Sequence, residues 1–120
     1  MNDNAPWRVV FTHSAEGDIL SIFDFIADRE GSDMAEALLE QFIEARDSLS
    51  LLPDRGRIPP ELKRVNILSY REIQSKPYRI IYRIHDPIHE VHIHVVADSR
   101  RNFTEFLKER LLGFNRFARV

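Results

Sequence analysis

The chain has 120 residues, of which 43% are hydrophobic and 30% are charged, and it contains no cysteine. This composition is typical of a globular protein with a substantial core, and it excludes disulfides and thiolate chemistry. The net charge of −2 indicates no particular partner by itself. No apolar run is long enough to span a bilayer, and the first residues lack the pattern of a signal peptide. We therefore expect a cytoplasmic protein with no membrane partner and a single domain over residues 1–120.

The first half of the chain predicts a strand and two helices. Residues 8–12 are rich in β-branched and aromatic side chains, which favour a strand. Ser14 is the expected N-cap of a helix that ends at Gly31. Asp33 and Glu36 have the spacing of a capping box for a second helix. Both helices carry apolar residues at helical spacing, so we predict an antiparallel helical hairpin.

The stretch from residue 76 to residue 102 predicts two strands joined by a turn at residues 86–89. Side chains alternate between the two faces of a strand. In the predicted register His85 faces Glu90, Ile84 faces Val91, Tyr82 faces Ile93 and Ile80 faces Val95. One face is apolar and consists of Tyr78, Ile80, Tyr82, Ile84, Val91, Ile93 and Val95. The other face is largely polar and basic and consists of Arg79, Ile81, Arg83, His85, Glu90, His92, His94 and Val96.

These elements predict an α+β fold. A further strand over residues 67–74 precedes the hairpin, and a helix beginning near Phe103 follows it. The element order is β-α-α-β-β-β-α, and short turns make neighbouring strands antiparallel. We predict a two-layer sandwich in which the helical hairpin and the C-terminal helix cover one face of the sheet. Phe114 and Phe117 are expected to cover a sheet edge or to form a dimer contact.

Charge is distributed unevenly along the chain. Residues 1–52 carry 3 basic and 11 acidic side chains, whereas residues 53–83 carry 8 basic and 3 acidic side chains. A basic central segment of this kind attracts an acidic partner, either nucleic acid or an acidic protein segment.

Four features together resemble the RelE/ParE superfamily, the toxins of bacterial type II toxin–antitoxin systems. They are the element order, the connector PDRGR at residues 53–57, the strand YRIIYRI at residues 78–84, and the exit ADSRRN at residues 97–102. The resemblance covers roughly residues 8–113. The long helical hairpin makes the chain look more like ParE than RelE.

The resemblance to ParE implies a toxin that inhibits DNA gyrase, is neutralised by a cognate antitoxin, needs no cofactor, and meets DNA only through the antitoxin complex. The resemblance to RelE implies instead a ribosome-dependent mRNA endoribonuclease, for which the catalytic candidates are Arg79, Arg100 and Glu72. Against that alternative, Tyr70 and Glu72 stand where RelE-like nucleases have lysines, and no tyrosine or histidine follows Arg100. A third possibility is an inactive toxin that retains antitoxin binding. Whether the protein is an enzyme stays open, and we favour the non-enzymatic reading.

Six arginines are the candidate partner-binding residues: Arg57, Arg71, Arg79, Arg83, Arg100 and Arg101. Two histidines, His92 and His94, point the same way on one strand, and two such imidazoles suit a zinc ion. Only Glu90 or His85 lies close enough to supply a third ligand. We therefore assign no metal and predict that these histidines are ordinary polar residues of an exposed sheet face. Their role stays open.

Overall fold

The computed structural model describes residues 5–112. Its elements, in chain order, are β1 (Arg8–Phe11), α1 (His13–Glu30), α2 (Ser32–Ser48), α3 (Pro60–Lys63), β2 (Tyr70–Ser75), β3 (Tyr78–His85), β4 (Glu90–Asp98) and α4 (Phe103–Leu107), which continues as a π-helical turn over Lys108–Leu112. Among these residues no helix is both long enough and apolar enough to cross a membrane. Phe114 and Phe117, for which the sequence predicts a covering or dimer role, lie outside the described residues.

The sheet has four strands in the order β1-β4-β3-β2. The pairs β2–β3 and β3–β4 are antiparallel, and β1 joins the edge of the sheet parallel to β4. The predicted α+β class and the predicted order of strands and long helices are confirmed. The structure adds α3, a single helical turn that sequence patterning does not predict, and two short 3-10 turns at Pro53–Arg55 and Asp86–Ile88.

The ends of the two long helices differ in detail from the prediction. Thr12, rather than Ser14, caps α1, because its hydroxyl oxygen accepts a hydrogen bond from the backbone N–H of Ala15 at 3.2 Å. The predicted capping box at Asp33 is wrong, since α2 begins directly after Gly31 and no side chain caps it. Gly31 therefore closes one helix and opens the next, which brings α2 back alongside α1.

Gly31 should be the most sensitive glycine of the helical hairpin. Its backbone has φ of 98° and ψ of 159°, a region that is essentially restricted to glycine. We expect Gly31→Ala to lower the free energy of unfolding by about 1–3 kcal/mol, the usual cost of such strain. Gly17 is the matched control, because it lies exposed within α1 and a Cβ there would meet nothing within 4 Å. Gly17→Ala should raise stability by about 0.5–1 kcal/mol, and urea denaturation should show the opposite signs of the two changes.

The hairpin of β3 and β4 follows the predicted register only from the turn as far as Tyr82 and Ile93. There the pairs of Ile84 with Val91 and Tyr82 with Ile93 are confirmed, but Ile80 pairs with Val96 and not with Val95. The reason is a β-bulge at His94, which leaves one extra residue on β4. A bulge bends its strand and changes which way the following side chains point.

The bulge helps to build two hydrophobic clusters, one on each face of the sheet. The first cluster lies under α1 and α2 and consists mainly of Ile19, Phe42, Leu49, Ile73, Tyr78, Ile80, Tyr82, Val91, Ile93 and Val96. The second lies on the opposite face and consists of Leu62, Tyr70, Ile81, Val95, Ala97, Phe103 and Leu107. The expectation that all helices cover one face is therefore wrong: α3 and α4 cover much of the face that the sequence predicts to be polar and open.

Candidate functional site

The second cluster encloses an ion-pair network centred on Arg79. Arg79 is 6% exposed and Glu72 is 2% exposed, so the expectation that Arg79 lies on an open basic face is wrong. The guanidinium of Arg79 donates to Glu72 Oε1 at 2.7 Å and to both carboxylate oxygens of Glu61 at 2.7 and 2.9 Å. It also lies 4.0 Å from the ring centroid of Phe103. All three guanidinium nitrogens thus donate within the protein, and one face of the group lies against an aromatic ring.

The electrostatics of this network favour the charged forms of Arg79 and Glu61. Although burial alone lowers the pKa of Arg79, its hydrogen bonds with Glu61 and Glu72 raise that pKa above its ordinary value. In the same way the hydrogen bonds from Arg79 lower the pKa of Glu61. Since both shifts favour charge, the network holds α3 against the sheet with ionic hydrogen bonds.

Two further arginines hold the connector between α2 and α3. Arg57 donates to Glu72 Oε2 at 2.6 Å, although its own side chain is largely exposed. Arg71 donates to the carbonyl oxygen of Gly56 at 2.8 Å. Close by, the Tyr82 hydroxyl donates to Pro53 O and accepts from the Gly56 N–H. The connector that the sequence marks as basic is therefore fixed in place by these contacts.

A groove lies between the helical hairpin and the ends of β3 and β4. Its volume is about 780 Å³, and its walls include Phe25 and Met34 from the helices and Lys76, Arg100 and Arg101 from the sheet side. Phe25 is 58% exposed and Met34 is 53% exposed. The groove thus combines exposed apolar side chains on the helices with Lys76, Arg100 and Arg101 on the sheet side, and the carboxylates of Asp18, Glu30 and Asp98 also line it.

The two groove arginines are held by neighbouring side chains. Arg100 donates from Nε to Asp98 Oδ1 at 2.9 Å and also pairs with the other oxygen of that carboxylate. The hydrogen bonds from Arg100 lower the pKa of Asp98 to about 2, so the pair stays ionised over the physiological range. The guanidinium carbon of Arg101 lies 3.8 Å from the ring centroid of Phe106. Both cations are exposed to solvent and oriented, as a docking surface requires.

The six arginines therefore do not form one face. Arg79 is buried, and Arg57 and Arg71 hold the connector. Arg83 is exposed, and its guanidinium lies 5.8 Å from the ring centroid of Tyr70. Arg100 and Arg101 line the groove. Sequence reasoning missed Glu61, and it also missed Phe25 and Met34 as groove residues. The available signal was that Phe25 and Met34 are large apolar residues at exposed positions of the helical hairpin.

Glu72, a candidate catalytic residue for a nuclease, is also held by hydrogen bonds within the fold. Both carboxylate oxygens of Glu72 accept hydrogen bonds, one from Arg79 and one from Arg57. A general base needs a free lone pair within reach of the proton that it removes. The arrangement of Glu72 is that of a structural carboxylate.

Comparison with known proteins identifies the chain. The sequence model of a family described as the ParE toxin of type II toxin–antitoxin systems, parDE, matches residues 9–103. The chain belongs to this ParE toxin family. The RelE/ParE resemblance is thereby confirmed, although among curated proteins none matches the chain significantly.

Solved structures show that this ParE-family protein has the fold of known toxins. The chromosomal ParDE toxin–antitoxin system of P. aeruginosa matches with a TM-score of 0.64 and 17% identity, covering 78% of this chain and 97% of that one. The RelBE2 toxin–antitoxin complex of Mycobacterium tuberculosis matches with a TM-score of 0.56 and 23% identity, covering 82% and 97%. A mutant of the E. coli toxin RelE in the free state matches with a TM-score of 0.52 and 14% identity, covering 84% and 92%.

Proposed function

We propose that this ParE-family toxin inhibits DNA gyrase by binding to it and is neutralised by a cognate antitoxin. The family match over residues 9–103 carries the proposal. The gyrase target follows from the ParE-like resemblance, and the antitoxin follows from the family's place in toxin–antitoxin pairs. The ParDE and RelBE2 structures, which are a toxin–antitoxin system and a toxin–antitoxin complex, add support for an antitoxin partner.

The state of Glu72 weighs against the alternative of a RelE-like nuclease. General acid–base catalysis contributes roughly 10² to 10⁴ in rate for each positioned group. With Glu72 buried between Arg57 and Arg79, the described residues offer no carboxylate beside Arg79 that is free to take a ribose proton. Arg100 can hold a phosphate, but binding the ground state alone does not lower the barrier.

Two assays with the purified protein separate the candidate functions. We expect inhibition of DNA supercoiling by purified gyrase and no cleavage of a messenger in a translation extract probed by primer extension. Codon-linked cuts that disappear in an Arg100→Ala variant would establish the nuclease reading instead. If neither activity appears and expression leaves growth unchanged, the results support the alternative of an inactive toxin, whose antitoxin binding is then measured separately.

The groove is the proposed docking surface for the antitoxin. Phe25 and Met34 offer apolar contact area on one wall, and Arg100 and Arg101 offer positive charge on the other. A segment that carries both apolar and acidic side chains complements these two walls. Arg83 lies outside the groove, and Arg79 is buried in its ion pairs with Glu61 and Glu72, so we assign neither of them to this contact.

Reversing the groove charges should slow antitoxin association. The double variant Arg100→Glu with Arg101→Glu should lower the association rate constant by about 10-fold at low salt, because electrostatic steering raises association rates by 10-fold or more. The matched control is Lys63→Glu with Arg64→Glu, which makes the same charge change at exposed positions around the end of α3. Stopped-flow association at several salt concentrations measures both variants. Equal slowing by the two pairs would assign the effect to net charge, and the groove would not be the docking surface.

A further inference from the structure

Three histidines come together on the β3–β4 hairpin, between its turn and the bulge at His94. His85 is the last residue of β3, His92 and His94 lie on β4, and one ring nitrogen from each lies within 4.8 Å of the others. The rings of His85 and His92 have centroids 4.1 Å apart, and those of His92 and His94 have centroids 6.5 Å apart. The bulge matters because it makes His94 the extra residue, which has no opposite partner on β3.

Two of these rings present nitrogens with no partner. Nε2 of His85 and Nε2 of His94 are buried, and neither makes a hydrogen bond within the described part of the chain. A buried polar atom without a partner costs roughly 1–3 kcal/mol. Two such atoms on adjacent imidazoles are what a site for a cation would present.

The carboxylate of Glu90 is also placed as a cation site would require. Glu90 Oε1 lies 2.9 Å from Nε2 of His92, and the other oxygen of Glu90 accepts from Arg8 at 3.1 Å. When Nε2 of His92 donates to Glu90, Nδ1 carries the lone pair and is the nitrogen that can bind a cation. A carboxylate that orients a histidine in this way is the usual outer partner of a metal-bound imidazole.

We propose that His85, His92 and His94 form a binding site for a divalent transition-metal ion of the zinc type, with Glu90 as the residue that positions His92. Three imidazoles with a fourth position left open are a known zinc coordination set. Nitrogen ligands without carboxylate ligands favour zinc, cobalt, nickel or copper over magnesium and calcium, which prefer oxygen.

The geometry requires only a small adjustment. Metal–nitrogen bonds of about 2.0–2.1 Å in a tetrahedral site place the nitrogens about 3.4 Å apart, so nitrogens that now lie within 4.8 Å of one another need side-chain rotation and not a change of fold. The site also has charge compensation nearby. Glu90, which also pairs with Arg8, supplies a negative charge, and Asp18 pairs with Arg110, the cation that donates to the backbone oxygen of His94. Arg83 is a further cation near His85 and His94.

Protonation does not compete strongly with a metal at this site. Burial, together with the neighbouring histidines and arginines, lowers the pKa of His94 to about 4. Burial also lowers the pKa of His85. These two imidazoles are therefore neutral at pH 7, and the neutral ring is the form that binds a metal ion.

The test is a titration of the tag-free, EDTA-treated and desalted protein with Co²⁺ at pH 7.5, followed through its visible ligand-field bands. We expect saturation at one Co²⁺ per chain and displacement of the cobalt by Zn²⁺. Zinc should also raise the melting temperature, because a ligand that binds only the folded state stabilises it.

Single variants decide whether the three histidines are the ligands. His85→Ala and His92→Ala should each weaken cobalt binding by at least about 10-fold, the lower end of what loss of even an outer partner costs. His13→Ala is the matched control, since the His13 side chain is fully exposed on α1, and it should bind as the parent protein does. The proposal is overturned if the parent protein shows no saturable binding, or if both cluster variants bind as tightly as His13→Ala. Zinc-induced stabilisation that persists in His92→Ala would overturn it as well.

Discussion

Replacing Arg79 with methionine should destabilise the protein by about 3–5 kcal/mol, the usual cost of removing one partner from a buried ion pair. The side chains of Arg79 and Glu72 are 8% and 0% exposed, and the atoms that pair lie 2.6 Å apart. Without Arg79, Glu72 keeps only its hydrogen bond from Arg57 and remains a buried carboxylate. Glu61 loses both of its hydrogen bonds from Arg79.

Two comparisons separate this effect from a general loss of positive charge. Arg83→Met removes an exposed arginine from the same strand, and it should change stability by no more than about 0.5 kcal/mol. The double variant Arg79→Met with Glu72→Leu should be more stable than Arg79→Met alone, because no buried charge is then left unpaired. With the single variant Glu72→Leu added, urea denaturation of all five proteins also measures the coupling between the two residues. If Arg79→Met costs no more than Arg83→Met, the network does not hold the second cluster together.

The burial of Arg79 also shows where sequence patterning reaches its limit. Alternation correctly places Arg79 and Ile81 on the same face of β3, opposite Ile80 and Tyr82. Alternation does not reveal whether that face meets solvent. One element that covers it is a helix of four residues, whose pattern is too short to detect. The other is the predicted C-terminal helix, whose apolar residues do not reveal which face of the sheet they cover. Ile81 was the available signal, since a buried apolar residue on a supposedly polar face requires a cover.

The bulge at His94 escaped prediction for a different reason. Val95, Val96 and Ala97 form an apolar run, so either register keeps an apolar residue opposite Ile80. A one-residue slip is costly only where it carries a polar side chain into the core. In the half of the hairpin near the turn, His92 and Glu90 alternate with Val91 and Ile93, which fixes the register, and there the prediction is correct.

The candidate site could also be predicted only in part from the sequence. The exit at residues 97–102 contributes Arg100 and Arg101 to the groove, and the sequence could single these residues out because they resemble a family pattern. It could not sort them from Arg57, Arg71 and Arg79, since an arginine that holds its own fold and one that meets a partner look alike in a sequence. Only the positions of Glu61, Glu72 and the Gly56 carbonyl distinguish them.

The stability of the protein should fall by roughly 3 kcal/mol between pH 6.5 and pH 4 through His94 alone. Burial lowers the pKa of His94 from 6.5 to about 4, and each unit of pKa shift corresponds to about 1.36 kcal/mol. Below pH 6.5 the unfolded chain binds a proton at this histidine that the folded protein does not bind until about pH 4. The contribution of His94 is therefore fully present above pH 6.5 and is lost as the pH falls through that window.

The groups that face His94 come from four parts of the chain. They are Tyr70 on β2, Arg83 and His85 on β3, His92 on β4, and Arg110 in the π-helical turn. The four cationic or potentially cationic groups oppose protonation of His94, and the Tyr70 ring packs edge-on against it with centroids 5.7 Å apart. The carboxylates whose pKa values are lowered, Glu61 and Asp98 among them, lose their contribution below their ordinary pKa, at more acidic pH than most of this window.

The variant His94→Gln should flatten the stability curve between pH 6.5 and pH 4, whatever its stability at pH 8, because glutamine does not titrate. His13→Gln removes a fully exposed histidine and should leave the slope of the parent protein unchanged. Urea denaturation at intervals of half a pH unit, in the presence of EDTA, measures the slope directly. EDTA is needed because a metal ion at the three histidines would compete with protons and alter the same curve. If His94→Gln keeps the parent slope, another group carries the acid sensitivity, and the burial of His94 in the folded protein is not its cause.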